Sequence, residues 1–197
     1  MSRILILFFI FLNGCTPVKL EQPATYVFSA QSIKPLAKKP TPLILLISPP
    51  KAAPGYDSSR IVYVDKAYQL SSFTKHRWAD TPSRMLMPLF VQTLQATRHF
   101  QATVSAPYMG DADIRLDTEL LSLQQDFTQK PSQVRMVLLA QLVNIKTQRV
   151  MATQQFSLSE NSPHEDPYGG VIATHRILTK LLSQLAAFTV HNTRGLP

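Results

Sequence analysis

The stretch that most limits what this chain can fold into runs from Ala112 to Phe127. Ala112, Ile114, Leu116, Thr118 and Leu120 alternate with Asp113, Arg115, Asp117 and Glu119, the pattern of a strand with one face buried and one wet. After Leu120 the apolar phase moves to Leu121, Leu123 and Phe127, a one-residue slip that predicts a β-bulge and a bend. Gln129 to Ser132, with Pro131, turns the chain into Val134–Ile145. There Met136, Leu138, Ala140 and Leu142 form one face, and Val137, Leu139, Val143 and Ile145 most of the other. A strand apolar on both faces is either covered on both sides or presents a patch to a partner. Lys146 to Arg149 then closes a hairpin into Val150–Leu158, whose Val150, Ala152, Phe156 and Leu158 share a face. The result is an antiparallel meander that needs something apolar laid across it.

Two segments can cover it. Asp166-Pro167 reads as N-cap and first helical residue, and behind it Val171, His175, Leu178, Leu182 and Leu185 repeat at helical spacing, widened by Leu181 and Phe188. Gly169 and Gly170 weaken the first turn by roughly 1 kcal/mol each, so close packing of backbone against a neighbour is the expected reason for them. A second helix opens at Asp80-Thr81-Pro82 and places Leu86, Leu89, Phe90, Leu94 and Thr97 on one face; Pro88 predicts either a kink or a start near Met87. Earlier strands are expected at Tyr26–Phe28, Leu43–Ile47, Arg60–Val64 and Tyr68–Phe73, and another at Phe100–Val104. Prolines 35, 40 and 42 mark a loop, and Pro49-Pro50 and Pro54-Gly55 mark turns. The fold class is α+β, a mostly antiparallel sheet with two helices packed on one face.

The first 14 residues have another purpose. Arg3 precedes an apolar run from Ile4 to Phe11, and Leu12-Asn13-Gly14-Cys15 follows, with the only cysteine in the 197 residues. As a helix, Ile4–Leu12 would reach about 13 Å at ~1.5 Å per residue, less than half of a ~30 Å bilayer core, so it reads as a signal peptide and not a span. Leu-x-Gly-Cys resembles the bacterial lipobox, whose cysteine sulfur takes a diacylglyceryl group and whose new N-terminus takes a further acyl chain such as palmitate. That use of Cys15 also removes the odd thiol that an exported chain would otherwise carry. Thr16 stands where the lipoprotein sorting rule has Asp for retention at the inner membrane, so the outer membrane is expected. The organisation is then 1–14 signal peptide, 15–25 lipidated tether, 26–192 one domain, and 193–197 a frayed tail.

The formal charge is +8, but the basic residues are scattered. The densest group, Lys34, Lys38 and Lys39, is interleaved with prolines and not aromatics, and no nucleic-acid module signature is present, so nucleic acid is excluded as a partner. Anionic phospholipid or an acidic protein suits that charge better. Catalysis finds little to work with. His76, His99, His164, His175 and His191 form no known spacing, and His164-Glu165-Asp166 reads as the acidic approach to a helix N-terminus rather than a metal site. His175 reads as a hydrogen-bonded core histidine. With no spare cysteine, no Gly-x-Ser-x-Gly elbow and no phosphate loop, neither an enzyme nor a cofactor is expected. Large amphipathic groups on expected loops are the candidate contacts with a partner: Tyr56 and Asp57, Trp78 and Asp80, and Tyr168. For Trp78 and Tyr168 the competing reading is that they plug the sheet ends.

Pro49-Pro50-Lys51-Ala52-Ala53-Pro54-Gly55-Tyr56-Asp57, Arg60-Ile61-Val62-Tyr63, Arg77-Trp78-Ala79-Asp80-Thr81-Pro82, Arg84-Met85-Leu86 and Tyr168-Gly169-Gly170 together resemble the ABC-type transport auxiliary lipoproteins, the PqiC-like proteins. The resemblance implies a lipid-anchored, periplasm-facing protein of the outer membrane. It implies work beside an MCE-domain protein and its ABC permease and ATPase, moving lipid between the two membranes. It leaves a homo-oligomer open. An outer-membrane assembly lipoprotein that chaperones or plugs a β-barrel, or a stand-alone lipid carrier, are the alternatives.

Overall fold

The computed structural model describes residues 22–29, 35–37 and 39–196. The signal peptide 1–14, Cys15, most of the 15–25 tether and part of the proline-rich loop lie outside them. Eleven elements follow in order: β1 (Ala24–Tyr26), β2 (Ile44–Ile47), β3 (Lys51–Ala52), β4 (Arg60–Lys66), β5 (Gln69–Trp78), α1 (Pro82–Ala96), β6 (Ala102–Ser105), β7 (Ile114–Asp126), β8 (Gln133–Asn144), β9 (Arg149–Asn161) and α2 (Pro167–Thr193).

The sheet is built around β7. On one side it pairs along its whole length with β8, and β8 with β9, as the expected antiparallel meander. On the other side it pairs in succession with β2, β3 and β4, all parallel to it. β6 continues the sheet beyond β2, and β5 and then β1 continue it beyond β4. The sheet is therefore mixed. Short parallel strands laid end to end along one long strand leave no local sequence signal, because each borrows its partner from a distant part of the chain. The predicted bulge is present: Leu120 faces Leu138 and Ser122 faces Val137, leaving Leu121 as the extra residue. Past it the inward phase belongs to Leu123 and Gln125, both buried.

α1 and α2 pack on each other, α1 over β2, β3, β6 and β7 and α2 over β8 and β9. Leu86, Phe90 and Leu94 of α1 and Ile177, Leu178, Leu181, Leu182 and Leu185 of α2 are almost fully buried against Leu45, Ile47, Leu116, Leu138 and Leu142 of the strands. At about 25 cal/mol per Å² of apolar surface, this shared layer is the main stabilising term of the fold. Thr81 caps α1 with Pro82 at its first turn, and the helix runs through Pro88 without a break. Pro88 is exposed, so the Arg84 carbonyl that loses its backbone donor faces water. The second face of β8 is partly covered: Val143 is buried and Val137 and Leu139 are half-buried. At the end of α2 the chain still touches the core. Thr193 is fully buried, with its hydroxyl 3.0 Å from the buried His99 Nε2, and Leu196 packs against the core.

Candidate partner-binding surface

The start of α2 explains its two glycines. Asp166 accepts the Gly169 N–H at 2.7 Å as N-cap, with Pro167 in the first turn. A Cβ on Gly169 would run into the backbone carbonyl of His164, and one on Gly170 into the Gln125 side-chain amide. That amide is itself fixed, since its Nε2 donates to Ser132, Ser162 and the Asp166 carbonyl at 3.1–3.2 Å. Glu165 accepts the Ser132 N–H at 2.8 Å. The His164–Asp166 run thus closes the helix entrance, and among the described residues no group of three or more His, Cys, Asp or Glu is placed to hold a metal.

The five candidate contact residues divide. Tyr56 is half-buried, and its hydroxyl donates to Gln124 on β7; burial raises its phenol above the ordinary value. The turn before it depends on Gly55 at φ 93°. Asp57 is exposed beside Ser58 and Arg60 in a shallow depression of about 310 Å³. Asp80 is exposed, accepts the Thr81 N–H at 2.7 Å and lies 3.5 Å from Arg84. Tyr168 is 54% exposed. Trp78 is a correction. It is the last residue of β5 and not a loop residue, it is only 3% exposed, and it meets Phe28 edge-on at 4.9 Å. The indole is large enough that the sheet end can bury it whole between β1 and α2, so it serves packing and not contact.

Around Tyr168 the structure assembles a surface that the sequence alone does not reveal. Tyr168 lies 6.1 Å from Tyr26, Tyr26 stacks on His76 at 5.9 Å, and the Tyr26 hydroxyl and His76 Nδ1 share a 3.0 Å hydrogen bond. Phe73 meets His76, Tyr63 stacks on Phe73 at 4.4 Å, and Phe127 stands edge-on to both Tyr63 and Phe73. Each ring of this series is at least partly exposed. Partial burial, then Asp166 and Tyr168, raise the Tyr26 phenol and keep it protonated. Beside Tyr26 and Tyr168 a groove of about 680 Å³ continues past Val27, Ile172, His175 and Arg176. His175 is half-buried there, with Nδ1 2.8 Å from the Val171 carbonyl. Phe73 and His76 reach the same face because the β4–β5 pairing is irregular: Arg60 to Val62 spans Arg77 to Ser72, two steps on β4 against five on β5. A reader of the sequence sees only scattered aromatics at odd spacing.

The hairpin tip extends the series. Lys66 pairs with Gln69, so Ala67 and Tyr68 form a two-residue turn in which Tyr68 sits at φ 67° and is fully exposed. A left-handed backbone costs a bulky residue roughly 1 kcal/mol, and glycine or asparagine would avoid it. Leu70 next to it is 43% exposed.

No curated protein sequence matches the chain. The fold is similar to that of a Xanthomonas campestris protein of the DUF330 family at 22% identity, with a TM-score of 0.78 over 87% of this chain and 97% of that one. It is also similar to that of a Chlamydia trachomatis protein at 7% identity, with a TM-score of 0.53 over 79% and 100%. At such identities the likeness speaks for the fold. The model of the ABC-type transport auxiliary lipoprotein component matches residues 26–186, which takes in β2 to β9, all of α1 and α2 up to Ala186. The chain belongs to the ABC-type transport auxiliary lipoprotein family.

Proposed function

We propose that the chain is an outer-membrane lipoprotein whose domain faces the periplasm and seats the end of an MCE assembly belonging to an ABC transport system, so that lipid crosses between the membranes without meeting water. The observation that carries the reading is the family match over 26–186 combined with Leu12-x-Gly14-Cys15 just upstream. Acyl chains on Cys15 hold the domain at the membrane, since two or more chains anchor stably where one does not. The domain acts as an adaptor and not as an enzyme, with Tyr56, Asp57, Asp80 and Tyr168 as the contact residues left once Trp78 is assigned to the core.

Two measurements test the reading. The N-terminal peptide of the exported chain is expected to begin at Cys15 and to carry the mass of a diacylglyceryl thioether and an N-acyl group. Tagged protein solubilised from envelopes is expected to bring an MCE-domain protein with it. A mature chain starting elsewhere or bearing a bare thiol removes the anchor. Capture of a β-barrel assembly component in place of the MCE protein overturns the partner.

A further inference from the structure

We propose that the β4–β5 hairpin is the part of the domain that touches the bilayer, with Tyr68 and Leu70 at its tip seated at the level of the lipid headgroups. The inference rests on the lipid-anchor reading above and adds which surface faces the lipid.

The path of the chain into the fold carries the argument. β1 pairs parallel to β5, with Ala24 opposite His76, Thr25 opposite Arg77 and Tyr26 opposite Trp78. Residues before Ala24 therefore enter from the side of Lys75 and Phe73, the side on which β5 runs back to the hairpin tip. Only eight residues lie between Cys15 and Ala24, nine steps with a reach of about 30 Å at ~3.3–3.6 Å per residue when fully extended. The eight residues from His76 back to Tyr68 cover about 26 Å at ~3.3 Å per residue. The chain thus enters β1 from the hairpin side, and its length back to Cys15 is enough to bring an acylated N-terminus to the level of the tip.

The tip has the chemistry of that environment. Tyr68 is fully exposed in a backbone conformation that disfavours it, and Leu70 is 43% exposed beside it. A tyrosine ring has its lowest free energy where its body meets apolar chains and its hydroxyl meets water, the headgroup level of a bilayer. Of the hairpin's exposed charges, Lys66 and Asp65 flank the tip, while Arg60 and Arg77 pair at its far end, so the contact proposed here is an aromatic and apolar one and not a basic patch. Behind the tip, Phe73, Tyr63 and Tyr26 keep the same flank aromatic up to Tyr168.

Because Cys15 is the only cysteine and a thioether consumes it, a cysteine placed on the surface can be labelled alone in the full acylated chain. Tyr68→Cys and, on the opposite edge, Gln155→Cys would each carry an NBD fluorophore. Both chains would be reconstituted into vesicles of phosphatidylethanolamine and phosphatidylglycerol, with and without lipid bearing a doxyl quencher on its acyl chain. NBD at 68 is expected to be quenched at least twofold more than NBD at 155, and to brighten on moving from detergent to vesicles. Equal quenching at the two positions, in protein shown by mass to be acylated and by flotation to be vesicle-bound, overturns the hairpin contact and leaves the anchor standing. Protein that neither carries the acyl mass nor floats removes the anchor reading itself.

Discussion

The two ends of the sheet solve the problem of an exposed margin in opposite ways. β9 turns Thr153, Gln155, Ser157, Ser159 and Asn161 outward, while Phe156 and Leu158 face the helix layer, Phe156 meeting Phe188 edge-on at 5.9 Å. Its apolar residues are nearly all used by the core; Val150 at the strand start is the exception. The β4–β5 hairpin and β1 instead expose Tyr68 and Leu70 at the tip and leave Tyr63, Phe73 and Tyr26 half-covered. Folding does not require those rings to reach water. The same sheet shows at β9 how such surface is avoided, so packing alone does not account for the aromatic margin.

The division can be broken most decisively with the two aromatics that sequence reasoning treated alike. Trp78→Ala should lower stability by about 3–5 kcal/mol, the usual cost of emptying a large buried ring, whereas Tyr168→Ala should stay within about 1 kcal/mol. Urea unfolding followed by circular dichroism separates them, and similar losses at both positions would erase the distinction between packing and contact.

Gly169→Ala comes next, at about 1–3 kcal/mol, because the new methyl meets the His164 backbone, which cannot rotate away. A neutral result would mean that the α2 entrance yields more easily than its hydrogen bonds imply.

His99 sharpens the contrast at the far end of both helices. Burial, then the Arg194 charge, lowers its pKa from the ordinary 6.5, so the fold holds it neutral. The unfolded chain then binds more protons between the two pKa values. The contribution is complete above about pH 6.5 and is lost as pH falls through that window, with a slope of at most about 1.4 kcal/mol per pH unit. Stability curves of wild type and His99→Gln from pH 7.5 to 5 should converge toward the acid end; parallel curves would remove His99 from the account.

The smallest expected effect is at the hairpin tip. Tyr68→Gly relieves the left-handed backbone yet loosens the unfolded chain, so stability should rise by no more than about 1 kcal/mol. A marked loss would mean that Tyr68 serves the fold.

Much of the fold is legible in the sequence because it is written in short periods. The alternation through Ala112–Leu120 marks β7, its slip marks the bulge, and Asp166-Pro167 and Thr81-Pro82 mark the helix starts through the backbone donors that their side chains or rings accommodate. The candidate surface was half visible. Tyr56, Asp57 and Asp80 lie in loops as expected, but Tyr168 belongs to the first turn of α2, and for Trp78 the choice between loop contact and sheet plug is illegible because the burying partners, Phe28 and the cavity wall at Gly170, come from distant sequence.

What the sequence by itself determined, then, is the meander, the two covering helices, the glycine-tight entry to the second, and the lipobox-like stretch ahead of the domain. Local spacing and backbone chemistry suffice for each. Only the tertiary structure decided that β2, β3 and β4 line up parallel along β7, that Trp78 lies inside, and that Tyr26, Tyr63, Phe73, His76 and Tyr168 meet as one aromatic flank. Those outcomes depend on partners as many as 142 residues apart, as Tyr26 and Tyr168 are, and on an irregular strand pairing that changes which side chains share a face, and neither leaves a period to read.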